Sequence, residues 1–284
     1  MDPIDPSLRI RSVALAVSDL RRSSDFYERV IGLPVLERGT ERVLLGTDPA
    51  QPALALSPIE DPQPAPFGST GLFHVAWLHP SRAGLAETVR RVLASEWRFD
   101  GASDHGVSEA LYLSDPDGLG IELYADRPRE RWDRPAGGRG VNMVTLPLDI
   151  EDLLAQHGGA PGPATEPGTH IGHVHLKVAD VPRAAGFYAD VLGFEEQARI
   201  PSAAFLSAGG YHHHIGLNSW QSEGGAPAGN DAPGLRGATF ALDGQSTLAA
   251  WADEAEAAGA ERSPGDEGVS LHDPDAQLLT FTAP

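Results

Sequence analysis

The chain has 284 residues, of which 41% are hydrophobic, so it can bury ordinary globular cores in two domains or one elaborate one. It contains no cysteine, which excludes disulfides, zinc–cysteine sites and thiol catalysis. A formal net charge of −19 repels nucleic acid and anionic lipid surfaces, and no apolar run is long enough to span a membrane. Because the first residues also lack the apolar run of a secretory signal, we expect a cytoplasmic protein.

A strand, helix and strand pattern opens the chain and returns in its second half, at residues 13–38 and 174–199. In both copies an Asp follows an alternating strand, and a helix with a Phe-Tyr pair then runs to a Gly. Asp19 and Asp180 are predicted to cap these helices, because their side chains can accept from the first free helical N–H groups. Gly32 and Gly193 are predicted to end them in the left-handed conformation.

A second repeated unit follows each copy of the first, at residues 71–95 and 234–259. Each of its copies reads as a strand followed by an amphipathic helix. Each then reaches an Asp-Pro-Asp turn and a closing strand; the turns are SDPDG (114–118) and HDPDA (272–276). The residue types suit a tight turn, since Pro fixes φ and Asp can bond its own backbone. These turns are predicted to be structural despite their charge.

These repeats divide the chain into four βαβββ modules of an α+β fold, with predicted bounds 9–60, 70–127, 170–222 and 233–284. The first two modules make up residues 9–127, and the last two make up residues 170–284. Between them, Pro and Gly clusters in residues 128–169 indicate a linker, with a short helix predicted near its DIEDLLAQ segment.

The repeat resembles the vicinal oxygen chelate superfamily, which includes glyoxalases, bleomycin-resistance proteins and extradiol dioxygenases. The stretch from His105 to Glu122 reads H-x5-L-Y-x2-D-P-x-G-x3-E and is most similar to bacterial catechol-2,3-dioxygenases. The resemblance covers nearly the whole chain. It implies that modules pair into two open, cup-like barrels, and that metal ligands come from the first and last strands of a module.

At the ligand positions that the resemblance implies, the second module carries His74 and Glu122, and the third carries His173. The outer modules carry poor ligands at these positions, such as Ser12 and Gly237. We therefore predict that modules two and three share the metal cup, while modules one and four share a vestigial one. Exchange of modules between two chains is the alternative, and the chain could form a homo-oligomer.

Two histidines and one carboxylate are typical of the facial triad of non-haem Fe(II) enzymes that activate oxygen. The expected ion is therefore Fe(II), with Mn(II) as an open alternative, and the expected partners are a small aromatic diol and O₂. His175 shares a face with His173 and is a rival ligand. The remaining isolated histidines are expected to be loop or surface residues; they are His79, His157, His170 and His272.

The resemblance implies catalytic roles for further side chains. His105 would hydrogen-bond the bound oxygen species, and Tyr112 would hydrogen-bond the substrate oxygen or a ligand, although a packing role for Tyr112 is equally open. His213, in the segment YHHHIGLN, would act as acid and base, since an ordinary imidazole titrates near neutrality. His214 is its rival, because strand alternation would place His212 and His214 on one face and His213 on the other.

Three functions fit this fold. The first is an extradiol dioxygenase that inserts O₂ into a catechol, as in aromatic hydrocarbon catabolism. The second is a glyoxalase-like metal-dependent isomerase or lyase, which typically uses two Glu ligands; the His-rich third module argues against it. The third is a drug-binding resistance protein without enzymatic activity, and the complete ligand set argues against that.

Overall fold

The computed structural model describes residues 1–137, 140–263 and 268–284. Residues 138–139 of the predicted linker and 264–267 of the predicted fourth module lie outside this description. The described strands are β1 (Arg9–Val17), β2 (Val35–Arg38), β3 (Val43–Leu45), β4 (Leu54–Pro58), β5 (Gly71–Leu78), β6 (Gly101–Asp104), β7 (Ser108–Ser114), β8 (Gly120–Asp126), β9 (His170–Lys177), β10 (Glu195–Ile200), β11 (Ala203–Ser207), β12 (Ile215–Asn218), β13 (Gly234–Ala241), β14 (Arg262–Ser263), β15 (Val269–His272) and β16 (Leu278–Thr282).

The α-helices in these ranges are α1 (Leu20–Phe26), α2 (Arg82–Ala94), α3 (Ile150–Ala155), α4 (Val181–Gly186) and α5 (Gln245–Ala257). A π-helical turn continues α1 at Tyr27–Ile31 and α4 at Phe187–Val191, and a 3₁₀ turn lies at Arg129–Arg131. Of these helices, none combines the length and apolarity that a membrane crossing requires. The short helix predicted within the linker is confirmed as α3.

The predicted helix caps are confirmed. The side chains of Asp19 and Asp180 accept from the backbone N–H three residues further on, at 2.9 and 2.8 Å. Gly32 and Gly193 have φ values of 86° and 79°, the left-handed conformation that ends each helical segment. The two copies of the opening repeat therefore begin and end their helices in the same way.

Two eight-stranded sheets contain all the named strands, and they confirm an α+β fold of paired modules. Each module supplies four strands, and its first strand pairs in parallel with its last, as β5 does with β8. One sheet has the order β14-β15-β16-β13-β1-β4-β3-β2, and the other has the order β10-β11-β12-β9-β5-β8-β7-β6. The second sheet thus joins strands of residues 71–126 to strands of residues 170–218. This strand order supports our proposal that modules two and three share one cup.

Alternation along the second sheet separates its two faces. On β8, Ile121 and Leu123 are buried in the main hydrophobic core, as are Val174 and Leu176 on β9. Residues between them point the opposite way, because successive side chains of a strand alternate. The sheet therefore covers the core with one face and presents Glu122 on the other.

Buried hydrogen bonds join the two sheets at equivalent places. The hydroxyl of Tyr27 donates to Asp115 at 3.2 Å, and the hydroxyl of Tyr188 donates to Asp273 at 3.0 Å. Each acceptor is the first Asp of an Asp-Pro-Asp turn, whose side chain also accepts from two backbone N–H groups of the turn. The turns thus hold the modules together, in keeping with a structural role.

Candidate metal centre

The three predicted ligands lie on three adjacent strands of the second sheet. His74 is on β5, the central strand, and Glu122 and His173 are on its neighbours β8 and β9. Glu122 and His173 are both paired with Ala76 of β5, one on each side. Because Ala76 has a small side chain, the space above it is left to the three larger polar groups.

The ligand atoms of these residues meet at one point. Nε2 of His74 lies 2.9 Å from Oε2 of Glu122, and Nε2 of His173 lies 3.1 Å from the same oxygen. The two Nε2 atoms are 3.3 Å apart. Two ligands at right angles, each about 2.1 Å from a metal ion, are separated by about 3.0 Å. The three atoms therefore fit neighbouring positions around one divalent ion.

Burial and proximity set the charge states of the cluster. Burial raises the pKa of Glu122, but His173 and His74 outweigh this effect and hold it well below its usual range. Burial lowers the pKa of His173 to about 4 despite the opposing charge of Glu122. A carboxylate and a neutral imidazole are the forms that bind a metal ion.

His175, the rival ligand, lies beside the cluster and outside it. Among the described residues, the ligand atoms that lie within 4.8 Å of one another belong to His74, Glu122 and His173. The ring of His175 packs edge-on against that of His74, with centroids 4.9 Å apart. Its Nε2 atom is buried and has no hydrogen-bond partner in the described chain.

A cavity of about 440 Å³ opens above the cluster. Most of its lining is apolar or aromatic; the full set is Phe73, His74, His105, Val107, Ser108, Tyr112, Glu122, Met143, Val144, Thr145, His175, Ile200, Phe205, His213 and Trp220. Ile200 and Trp220 are half-exposed. Apolar walls with a few convergent polar groups are typical of small-molecule sites. The linker contributes residues 143–145 to this wall, which the sequence did not indicate.

His105 and Tyr112 face the cavity as a hydrogen-bonded pair. Nδ1 of His105 lies 2.7 Å from the carbonyl oxygen of Val144, which can only accept, so this nitrogen carries a proton and donates. Nε2 of a neutral His105 then accepts from the Tyr112 hydroxyl at 2.7 Å. Burial, and then the charge of Glu122, raise the pKa of Tyr112, so its hydroxyl keeps its proton.

The strand predicted over the segment YHHHIGLN is wrong in its first half. β12 begins only at Ile215, and a turn with positive φ at Gly209 and Gly210 delays it. Alternation therefore says nothing about the preceding histidines. His213 lines the cavity, and its ring packs at a tilt of 47° against that of His173, with ring centroids 4.0 Å apart. His214 instead accepts from the backbone N–H of Ala208 at 3.2 Å and is absent from the cavity wall.

His79 lies in the loop that follows β5, as the expectation of a loop or surface residue allows, but it is buried and not at the surface. Its side chain is buried beneath α2, where Nε2 lies 3.0 Å from the Thr88 hydroxyl. Burial lowers the pKa of His79 to about 4. The residue directly follows β5 and precedes a proline, a pattern that does not distinguish a buried turn from an exposed one. Its partners belong to the core of the second module, so it is no candidate for the metal centre.

Comparisons with known proteins find relatives with the same fold. Residues 9–123 and 170–274 match the model of the glyoxalase/bleomycin resistance protein/dioxygenase superfamily. The chain is 40% identical over 285 residues to catechol-2,3-dioxygenase of Bacillus subtilis (strain 168), covering 99% of each protein. Its fold is similar to that of glyoxalase I from Zea mays, with a TM-score of 0.59 and 17% identity over 98% of this chain and 92% of that one. It is also similar to the cppA protein from Streptococcus pneumoniae TIGR4, with a TM-score of 0.58 and 12% identity over 97% of this chain and 99% of that one.

Proposed function

The chain belongs to the glyoxalase/bleomycin resistance protein/dioxygenase superfamily, and from this premise we propose that it cleaves the ring of a catechol, using a divalent metal ion and O₂. The full-length match to a catechol-2,3-dioxygenase supports an enzyme of the extradiol dioxygenase class. The observation that carries the proposal is the His74–Glu122–His173 cluster, of which His74 and Glu122 line an apolar cavity large enough for an aromatic diol.

The donor set of this cluster fits Fe(II), and Mn(II) accepts the same ligands. His74, Glu122 and His173 would hold the ion, with one carboxylate and two neutral imidazoles as donors. A bound ion of this kind supplies the redox-active Lewis acid at which an aromatic diol and O₂ react. Only one carboxylate lines the described cavity, which favours this chemistry over that of an isomerase with two Glu ligands.

The other side chains of the cavity would bind and orient the substrate. His213 would take the proton of a catechol hydroxyl and return it to the product, because it lines the cavity and its ring packs against that of His173. Tyr112 keeps its hydroxyl proton and is held by His105, so this pair would position an oxygen atom of the bound reactants. The aromatic wall of Phe73, Phe205 and Trp220 would exclude water and pack on the ring.

The test compares the wild-type protein with Glu122→Gln. Each protein is loaded anaerobically with Fe(II) or Mn(II), its bound metal is measured by mass spectrometry, and catechol is added in air. The wild type should produce the yellow ring-fission product. Glu122→Gln should lose tight metal binding and activity together, because an amide brings no charge to offset that of the ion. The exposed residue Glu130 offers a matched control, and Glu130→Gln should behave as the wild type does.

Two results would contradict the proposal. Wild-type metal content in Glu122→Gln would remove this residue from the metal site. A wild type that cleaves no substituted catechol but isomerises a glutathione hemithioacetal would reassign the cavity to glyoxalase-like chemistry.

A further inference from the structure

Behind His213 a chain of hydrogen bonds leads away from the cavity. Nδ1 of His213 lies 2.8 Å from Nδ1 of His212, and Nε2 of His212 lies 2.9 Å from Oδ1 of Asp126. His212 is fully buried, and the side chain of Asp126 is 26% exposed. The sequence order hides this arrangement, since Asp126 ends β8, far from the histidines in the chain.

The direction of each hydrogen bond follows from the acceptor at its end. A carboxylate only accepts, so Nε2 of His212 carries a proton and donates it to Asp126. A neutral His212 then has a bare Nδ1, which can only accept. Where His212 is neutral, Nδ1 of His213 carries a proton and donates it, which leaves the lone pair of His213 on Nε2. Only this tautomer offers the cavity a proton acceptor.

We propose that Asp126 and His212 are positioning residues that lock His213 in the tautomer with a bare Nε2 turned to the substrate. The inference rests on the proposed function for its catalytic meaning, but the tautomer itself is a property of the folded chain. A carboxylate that fixes the tautomer of a catalytic imidazole is a known device in enzymes with other folds. Here the carboxylate acts through an intervening histidine.

Asp126 is itself held in place from the other side. The hydroxyl of Tyr211 donates its proton to Oδ1 of Asp126 at 3.2 Å. The hydroxyl of Tyr124 lies 2.8 Å from that of Tyr211 and must therefore donate to the Tyr211 oxygen. Tyr124 is fully buried, and a Cβ atom at Gly172 would lie 1.7 Å from its hydroxyl. Gly172 thus leaves space for this hydroxyl that the Cβ atom of any other residue would fill, so the network depends on the backbone packed around it.

The kinetic test uses Asp126→Asn, whose amide can donate to His212 and reverse the tautomers of both rings. We expect kcat to fall about 100-fold, while metal content, melting temperature and anaerobic catechol affinity stay at wild-type values. In a His213→Gln background the same substitution should change kcat less than about 2-fold, because a residue that acts through His213 has nothing left to position. Asp253→Asn, at an exposed helix position, is the matched control and should change nothing.

A spectroscopic arm separates this proposal from the function of the cavity. Long-range ¹H–¹⁵N correlation spectra of the full chain loaded with diamagnetic Zn²⁺ report the tautomer of each histidine, and His213→Gln assigns the signal of His213. A wild-type His213 protonated on Nδ1, with a change in Asp126→Asn, supports the proposal even if no catechol is cleaved. A wild-type His213 protonated on Nε2 overturns it, and so does an equal loss of kcat in both backgrounds.

Discussion

The fold accommodates the single carboxylate within the apolar run of β8 without disturbing the hydrophobic core. Glu122 lies on the cavity face of β8, while Ile121 and Leu123 point to the core, so it interrupts nothing in the core packing. A buried carboxylate is costly unless it is paired or binds a cation. The two imidazoles within 3.1 Å of its Oε2 atom supply those partners.

The neighbouring histidines His213 and His214 should respond differently to the same substitution. His213→Gln should lower kcat by about 10²- to 10⁴-fold, the usual contribution of a general base, without loss of bound metal. His214→Gln should have a much smaller effect, because His214 is bonded to the backbone N–H of Ala208. Steady-state kinetics and metal analysis of both variants decide between them. A larger loss of kcat in His214→Gln would reverse the assignment.

Sequence reasoning found the residues that a motif marks and missed those defined only by their contacts. His105, Tyr112 and Glu122 share one short motif, and all three line the cavity. Asp126 belongs to no such motif, because its proposed role depends on a partner 86 residues away in the chain. The position of His212 behind His213, and not beside it on a strand, also follows from a turn whose geometry no alternation pattern contains.

The two Asp-Pro-Asp turns differ at a position that requires positive φ. Gly118 has a φ of 80°, and the equivalent residue of the other turn, Ala276, has a φ of 64°. A side chain in this region of φ costs about 1–2 kcal/mol, which Gly avoids. The same turn thus occurs in both modules, but the fourth module has Ala276 at the position where Gly adopts positive φ at lower cost.

We predict that Ala276→Gly raises the free energy of unfolding by about 0.5–1 kcal/mol, since relief of the backbone strain exceeds the added entropy of the unfolded chain. Gly118→Ala should lower it by about 1 kcal/mol, and since a Cβ atom there would meet nothing within 4 Å, the cost would come from the backbone alone. Urea denaturation of both variants measures the difference. Destabilisation by Ala276→Gly would show that the turn is not strained.

At the scale of elements, the repeat predicted most of the fold. Capped helices, paired strands and turns follow from local residue types, such as Asp at the caps and Gly at the helix ends, and these recur in both halves. The start of β12 did not follow, because the Gly209–Gly210 turn overrides the β propensity of the residues after it. The linker was predicted as a connection, but its contribution to the cavity wall depends on tertiary packing.

The two sheets of the molecule meet at buried carboxyl groups that titrate in an unusual range. Burial, against the opposing effect of hydrogen bonds, raises the pKa of Asp115 from 3.8 to about 6, and Asp273 behaves in the same way. Between about pH 4 and pH 6 the folded protein therefore keeps a proton at Asp115 that the unfolded chain has lost. The stability that this carboxyl contributes at low pH is lost as the pH rises through about 6.

Asp115→Asn should remove this dependence, because an amide does not titrate and can still accept from the turn while donating to Tyr27. The free energy of unfolding of the variant, relative to the wild type, should rise between about pH 4 and pH 6 and then level off. Denaturation at several pH values measures it, with Asp253→Asn as an exposed control. A relative stability that falls over this range would mean that the pKa of Asp115 is lowered in the folded state.

The prediction that modules two and three share a cup followed from which modules kept ligands, since His74, Glu122 and His173 would otherwise be split between cups, and the strand order supports it. The contacts that join the sheets could not be inferred from the sequence, because a Tyr in a helix does not indicate which turn its hydroxyl will contact. Local pattern thus predicts the modules, and long-range packing decides how they join.

The strands of modules two and three lie between those of modules one and four in the chain, and this order has a consequence for protein synthesis. Every strand of the sheet that carries the candidate metal centre has been translated once residue 218 leaves the ribosome, whereas β1 must wait for β13 before its open side is covered. The inner half can therefore fold while the outer half is still incomplete. During that interval the nascent chain exposes an unpaired strand edge. A chaperone would be expected to shield this surface.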